Sequence, residues 1–116
     1  MPQAALQFGS ALSTNPVKVI ARHTSVGFWR RHRETDQPLR DWLSVARRAD
    51  WASMTEVKGV FAKASAINRE RVVFDVLGGS YRLVVAIKFS AQIVFIKFVG
   101  THAEYDRIDP ATVSRF

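Results

Sequence analysis

No cysteine occurs in the 116 residues. That excludes a disulfide framework, a thiolate zinc site and a cysteine nucleophile, and it fits a chain that works in the reducing cytoplasm. Histidine is scarce: His23, His32 and His102 are the three, and no two stand at the i, i+4 spacing of a zincin helix, so neither a metal nor another cofactor is expected. A glycine-rich phosphate loop, a nucleophile elbow and a closely spaced carboxylate pair on a helical framework are also missing. The longest apolar runs, Leu83 to Ile87 and Ile93 to Ile96, fall far short of the roughly 20 residues that span a bilayer. Met1 to Thr14 has neither the basic start nor the continuous apolar stretch of a signal peptide. The sequence therefore predicts no membrane association.

What the chain has in excess is positive charge. Seventeen Lys and Arg against ten Asp and Glu leave +7, an imbalance that favours a polyanionic partner. A hydrophobic content of 47% in a chain of this length suits one compact domain. Residues 1–15 mix Ala, Gln, Ser, Thr and Gly without a period, and Asn15-Pro16 disfavours helix. They read as a flexible leader, and residues 16–116 as the single domain.

Val17 to Ala21 has the β-branched character of a first strand. From Thr24, with Thr24 or Ser25 as cap, the run Phe28, Trp29, Arg30, Arg31, His32, Arg33 predicts a short helix. Thr35 or Asp36 ahead of Pro38 opens a second, on which Leu39, Trp42, Leu43, Ala46 and Ala49 form an apolar stripe while Arg40, Arg47 and Arg48 point away. Ser53 with Glu56 has capping-box spacing, and Val57, Val60, Phe61 and Ala64 suggest a third short helix. After Asn68 the period becomes two: Val72, Val73, Phe74 and Val76 are β formers, and Gly78-Gly79 supplies the positive φ of a hairpin. Tyr81, Leu83, Val85, Ile87 and Phe89 share one face of the next strand, with Arg82, Val84, Ala86 and Lys88 on the other. Ile93 to Val99 is apolar on both faces except at Lys97, which suggests a central strand ending at Gly100, followed by a tail helical from Ala103. The expected fold is α+β: an N-terminal strand and two or three helices packed on an antiparallel meander, with the opposite face or its rim open to a ligand.

The candidate chemistry is cationic and aromatic. Arg69, Arg71, Arg82, Lys88 and Lys97 come from the sheet region or its approach and lie near His102 and Tyr105 if the meander forms. Metal-free RNA cleavage needs the ribose 2′-hydroxyl to attack its own phosphate, so one proton must be accepted, another donated, and growing negative charge neutralised. Arginine and lysine answer the last need, and histidine, titrating near about 6.5 as a residue type, suits the first two. The same cations would bind a phosphate backbone without cutting it, so residue chemistry leaves open a non-catalytic RNA- or ribosome-binding module, and likewise a scaffold in a regulatory protein complex. Arg30, Arg31, His32 and Arg33, extended by Arg47 and Arg48, form the densest basic run; it is a solvated helix by default and a contact for ribosomal RNA phosphates in the sharper reading. Trp29, Trp42 and Trp51 are expected to pack rather than stack on bases.

Two segments carry a resemblance. Gly79-Ser80-Tyr81-Arg82-Leu83-Val84-Val85 resembles the Gly-x-Tyr-Arg-Leu segment of RelE-like ribonuclease toxins. Gly100-Thr101-His102-Ala103-Glu104-Tyr105-Asp106 is similar to the C-terminal signature of their HigB branch. The likeness runs from about Val17 through Ile108, including Trp42, Ala49-Asp50-Trp51 and Arg71-Val72-Val73-Phe74-Asp75-Val76, and does not cover the leader. It implies a RelE-like small domain acting as the toxin of a type II toxin–antitoxin pair. Such a toxin is a metal-independent endoribonuclease, an mRNA interferase that inhibits translation by cutting messages, commonly on the ribosome. The implied partner is a HigA-like antitoxin with a helix-turn-helix element, through which the complex would reach operator DNA. By position, the resemblance gives Arg82 the scissile phosphate and sets His102 and Tyr105 beside it; Arg71 is a weaker match. Lys88 and Lys97 rest on charge and strand position alone, and with Arg69, Arg30, Arg31 and Arg33 make up the expected RNA-binding set. General base and general acid stay unassigned among these groups.

Overall fold

A computed structural model gives the fold and describes residues 18–20, 28 and 31–114. The architecture is α+β, a five-stranded mixed sheet with helices against it. The strands are β1 (Lys18–Ile20), β2 (Ser65–Ala66), β3 (Arg71–Val76), β4 (Tyr81–Lys88) and β5 (Ile93–Thr101); the helices are α1 (Asp36–Arg48), α2 (Met54–Val60) and α3 (His102–Tyr105). Strand order is β1-β5-β4-β3-β2. The β3-β4-β5 meander is antiparallel as expected, but β1 runs parallel to β5, pairing Lys18 with Ile93 and Ile20 with Phe95, so the sheet is mixed. The sequence reading also lacked β2, two exposed residues with no alternation to betray them. Phe28 and Arg31 are helical, and the His32 N–H bonds the Phe28 carbonyl at 2.9 Å; the leader and the remainder of the helix expected from Thr24 lie outside the described residues.

α1 forms where its stripe requires. Pro38 sits in the first turn, where a missing donor costs nothing, and Leu39, Trp42, Leu43 and Ala46 are buried. Thr35 does not cap it; its Oγ1 donates to the His32 carbonyl at 2.7 Å. α2 stops at Val60, which is exposed, and Ala64 is buried beyond it rather than on it. Nor does Ser53 form the expected capping box, because Glu56 Oε1 accepts instead from the Ala52 N–H at 3.1 Å. A full box forms at α3, between Thr101 and Glu104.

One sheet face meets the helices: Val72, Phe74, Val76, Leu83, Val85, Ile87, Val94 and Ile96 join Leu39, Trp42, Leu43, Trp51 and Val57 in the main core. The outer face or its rim was expected to stay open, and the structure covers the face. Val73, Val84 and Phe98 are apolar on that face, and the C-terminal segment covers them with Tyr105, Ile108 and Val113. A bulge makes this possible: Val84 pairs with Phe98 but Val85 pairs with Ile96, so Lys97 is the inserted residue that resets the alternation. Arg71 clamps the cover, its Nη1 donating to the carbonyls of Pro110 (3.0 Å) and Val113 (2.6 Å).

Gly100 is the tightest point. A Cβ there would stand 2.4 Å from Phe98 Cζ and 2.8 Å from Glu104 Oε1, whereas one on Gly59 in α2 meets nothing within 4 Å. Gly100→Ala is therefore expected to cost about 1–3 kcal/mol by overpacking, and Gly59→Ala to gain roughly 0.5–1 kcal/mol. Denaturant midpoints moving in opposite directions check this; an unchanged midpoint for Gly100→Ala contradicts it.

Candidate functional site

The end of the sheet where β3 turns into β4 gathers the charged side chains. Leu77, Gly78 and Gly79 all have positive φ (52°, 63° and 95°), and the connection closes so that Asp75 pairs with Arg82, which in turn pairs with Gly100 on β5. Alternation aims Arg82 at the outer face. Its Nη1 donates to the Gly79 carbonyl at 2.6 Å and lies 3.2 Å from Asp75 Oδ1. The guanidinium carbon stands 5.8 Å from the centre of the Tyr105 ring, within cation–π range. Both polar contacts use one corner of a group with five N–H donors, and 18% of the side chain stays exposed. Tyr105 is braced from below by Phe98, ring centres 6.5 Å apart.

α3 begins directly at the end of β5. Thr101 Oγ1 accepts from the Glu104 N–H (3.1 Å) and Glu104 Oε1 accepts from the Thr101 N–H (2.8 Å), which satisfies donors that a helix start leaves orphaned. The His102 N–H bonds the Ser80 carbonyl at 3.0 Å, tying the histidine backbone to the turn two residues ahead of Arg82. His102 Nδ1 lies 3.2 Å from Asp106 Oδ2, with about half of each side chain exposed. Tyr105 follows at i+3, a neighbouring position on the helix surface.

Beneath this end, on the helical side, Tyr81 pairs with Thr101. Its hydroxyl donates to the Glu34 carboxylate and lies 3.3 Å from His32 Nδ1, while Phe28 stacks on the His32 ring at 4.4 Å. The phenol lowers the Glu34 pKa below the ordinary carboxylate value, helped by a backbone N–H and the His32 charge. The Tyr81 pKa is raised, first by bonding to Glu34, then by burial and by the charges of Glu34 and Glu104.

The structure thus brings Arg82 and Tyr105 into contact and ties His102 to the same turn. Other expected residues lie apart. Arg71 is four residues along β3 from Asp75, about 13 Å at strand rise, with Nη1 on the C-terminal carbonyls, so the two arginines do not meet. Lys88 is exposed at the far end of β4, Lys97 sits on the bulge with its ammonium 5.4 Å from the Phe95 ring centre, and Arg69 is exposed ahead of β3. Arg31 and Arg33 are exposed beside the half-buried His32, and Arg30 lies outside the described residues. Sequence reading missed Asp75, although the hairpin register implies its pairing with Arg82. It also missed the Thr101–Glu104 box, legible as Thr-x-x-Glu, and the His32–Glu34–Tyr81 contact, which no sequence spacing signals. Among the described residues, no three His, Cys, Asp or Glu side chains gather as a metal site, and no helix is long and apolar enough to cross a membrane.

The model of the HigB toxin family, described as the RelE-like toxic component of a toxin-antitoxin system, matches residues 35–108, well over half of the chain and inclusive of Asp75, Arg82, His102 and Tyr105. No curated protein matches.

The Glu34–Tyr81 bond has a pH signature. A carboxylate whose pKa is depressed by folding adds stability above its unfolded value, lost as pH falls through the folded one. The melting-temperature advantage of the wild type over Tyr81→Phe is expected to hold from neutral pH down to the ordinary value of 4.5 and to shrink below it. A gap that stays constant as the pH falls below 4.5 contradicts the assignment.

Proposed function

The chain belongs to the HigB family of RelE-like toxins, the toxic components of toxin–antitoxin systems, and from that premise we propose that it is a cytoplasmic endoribonuclease. On this reading it cuts messenger RNA on the ribosome without a metal, inhibits translation, and is silenced by a HigA-like antitoxin through which the complex reaches operator DNA. The observation that carries it is Arg82 held between Asp75, the Gly79 carbonyl and the Tyr105 ring, at the turn to which His102 is tied.

In the proposed reaction a 2′-hydroxyl loses its proton and attacks the adjacent phosphorus. The bond to the 5′ oxygen breaks, and that oxygen takes up a proton. One fragment ends in a 2′,3′-cyclic phosphate and the other begins with a 5′-hydroxyl. Negative charge grows on the non-bridging oxygens, and a guanidinium already fixed in place neutralises it without reorganising at the moment of reaction. Arg82 fits that role: the incoming phosphate competes with one exposed carboxylate, Asp75, for a group oriented by the Gly79 carbonyl. His102 and Tyr105 exchange the protons from α3. Arg71 acts as a positioning residue, pinning the segment that follows Tyr105. Lys97, Lys88, Arg69, Arg31 and Arg33, with Arg30, guide the RNA backbone through a salt-sensitive attraction.

Induced expression with and without a cognate antitoxin, followed by mapping of RNA 5′ ends, tests the reading. The wild type is expected to arrest growth and to generate 5′-hydroxyl ends that persist under chelation. Arg82→Ala and His102→Ala should each cut cleavage by about 100-fold or more with denaturation midpoints retained. A folded double variant that still cuts contradicts the site, disappearance of cuts on chelation contradicts the chemistry, and RNA binding without any cutting supports the non-catalytic module instead.

A further inference from the structure

A cleft of about 580 Å³ opens at the sheet edge where β2 parts from β3, between 60–64 and 74–78, with α1 behind it. β2 pairs with β3 only at Ser65–Val73 and Ala66–Val72. Upstream the chain turns away at Ala62–Lys63, so among the described residues β3 has no neighbour on that side beyond Val73. The Ile67 N–H bonds the Arg71 carbonyl, and by alternation the backbone groups of Arg71, Val73 and Asp75 all face this edge. Asp75 therefore presents an N–H and a carbonyl where a further strand would lie, a recurrent mode of peptide capture.

The cleft is largely apolar, lined by core side chains and by exposed ones. Trp42, Phe61 and Phe74 line it. Val45, Val60 and Leu77, the exposed large hydrophobics among the described residues at 41%, 53% and 41%, all line it too. Leu77 is placed there against its own backbone preference: its φ is +52°, a conformation glycine adopts without strain and leucine does not. The charged lining residues are Asp41, Lys63 and Asp75; Arg82 takes the Asp75 carboxylate, which leaves the exposed Asp41 as the acid open to a basic partner.

We propose that this cleft receives an extended apolar segment of the antitoxin. The segment pairs with the Asp75 backbone, covers Val45, Val60 and Leu77, and offers a basic side chain to Asp41. Family membership supplies the occupant, since a toxin of this kind has an antitoxin partner; the inference rests on the family and not on RNA cleavage.

Affinity for the cognate antitoxin, measured by titration on the purified full-length proteins without RNA, tests it. Val60→Glu and Leu77→Gly are each expected to weaken binding by about tenfold or more, while Ser90→Glu at the exposed β4–β5 turn leaves it unchanged. Leu77→Gly should melt no lower than the wild type, because glycine relieves the positive φ. The Asp75 amide should be protected from hydrogen exchange in the complex and not in the free chain. Wild-type affinity in both cleft variants, or equal Asp75 exchange free and bound, overturns the proposal. So does a free chain that dimerises and is split by Val60→Glu with antitoxin affinity unchanged, which assigns the cleft to a second copy. Because no step reads cleavage, loss of this proposal and loss of the ribonuclease reading are separable.

Discussion

Two groups crowd the space above Gly100, and the site exists because Gly100 adds no third. With only hydrogen on its Cα, the Phe98 ring and the Glu104 carboxylate close over the strand end. Glu104 can then complete the capping box with Thr101, so α3 starts without a linker. A helix that starts there holds the His102 N–H against the Ser80 carbonyl and sets Tyr105 between Phe98 and Arg82. Each contact is modest, about 1 kcal/mol for a cap or a neutral hydrogen bond. Precision comes from sharing one rigid support, the paired ends of β3, β4 and β5, rather than from any single strong interaction.

The same sheet explains why the cations do not form one cluster. Val72, Val73, Val84 and Val85 are buried, so the middle of β3 and β4 is closed on both faces and charge is confined to the strand ends. Like charges gathered at one end would also repel. Arg82 takes Asp75 as its partner, Arg71 takes two carbonyls at the other end of β3, and Lys97 rests over Phe95. The net charge of +7 still acts at long range on a polyanion, but local pairing selects one arginine to stand beside the tyrosine and the histidine-bearing turn.

Much of the fold was legible because it rests on periodicity. The stripe of α1 and the alternation of β4 each have one burial solution, and Gly78-Gly79 fixed the hairpin between β3 and β4. What escaped depends on contacts distant in sequence. β2 is two exposed residues that pair because β3 lies beside them. The parallel partner of β1 is 75 residues away in chain order (Lys18 with Ile93), and nothing local encodes it. Lys97 was read as a polar interruption in a buried strand, whereas it is the bulge that turns Phe98 to the outer face. At the candidate site the motif residues Arg82, His102 and Tyr105 were named from the sequence, but their supports were not. Asp75 and Glu104 look like ordinary surface acids until register and capping give them partners.

Asp75 shows most clearly why supports matter as much as motif residues. Its carboxylate faces Arg82, while its backbone faces the open edge beside Val60 and Leu77. In a strand these two directions are nearly perpendicular, so one residue borders both the arginine and the cleft without either obstructing the other. A strand that pairs with its backbone would border the Arg82 partner without occupying the outer face. For a toxin paired with an antitoxin that separation is useful: on the proposed reading the RNA face and the antitoxin edge adjoin at one residue, and each surface keeps its own chemistry.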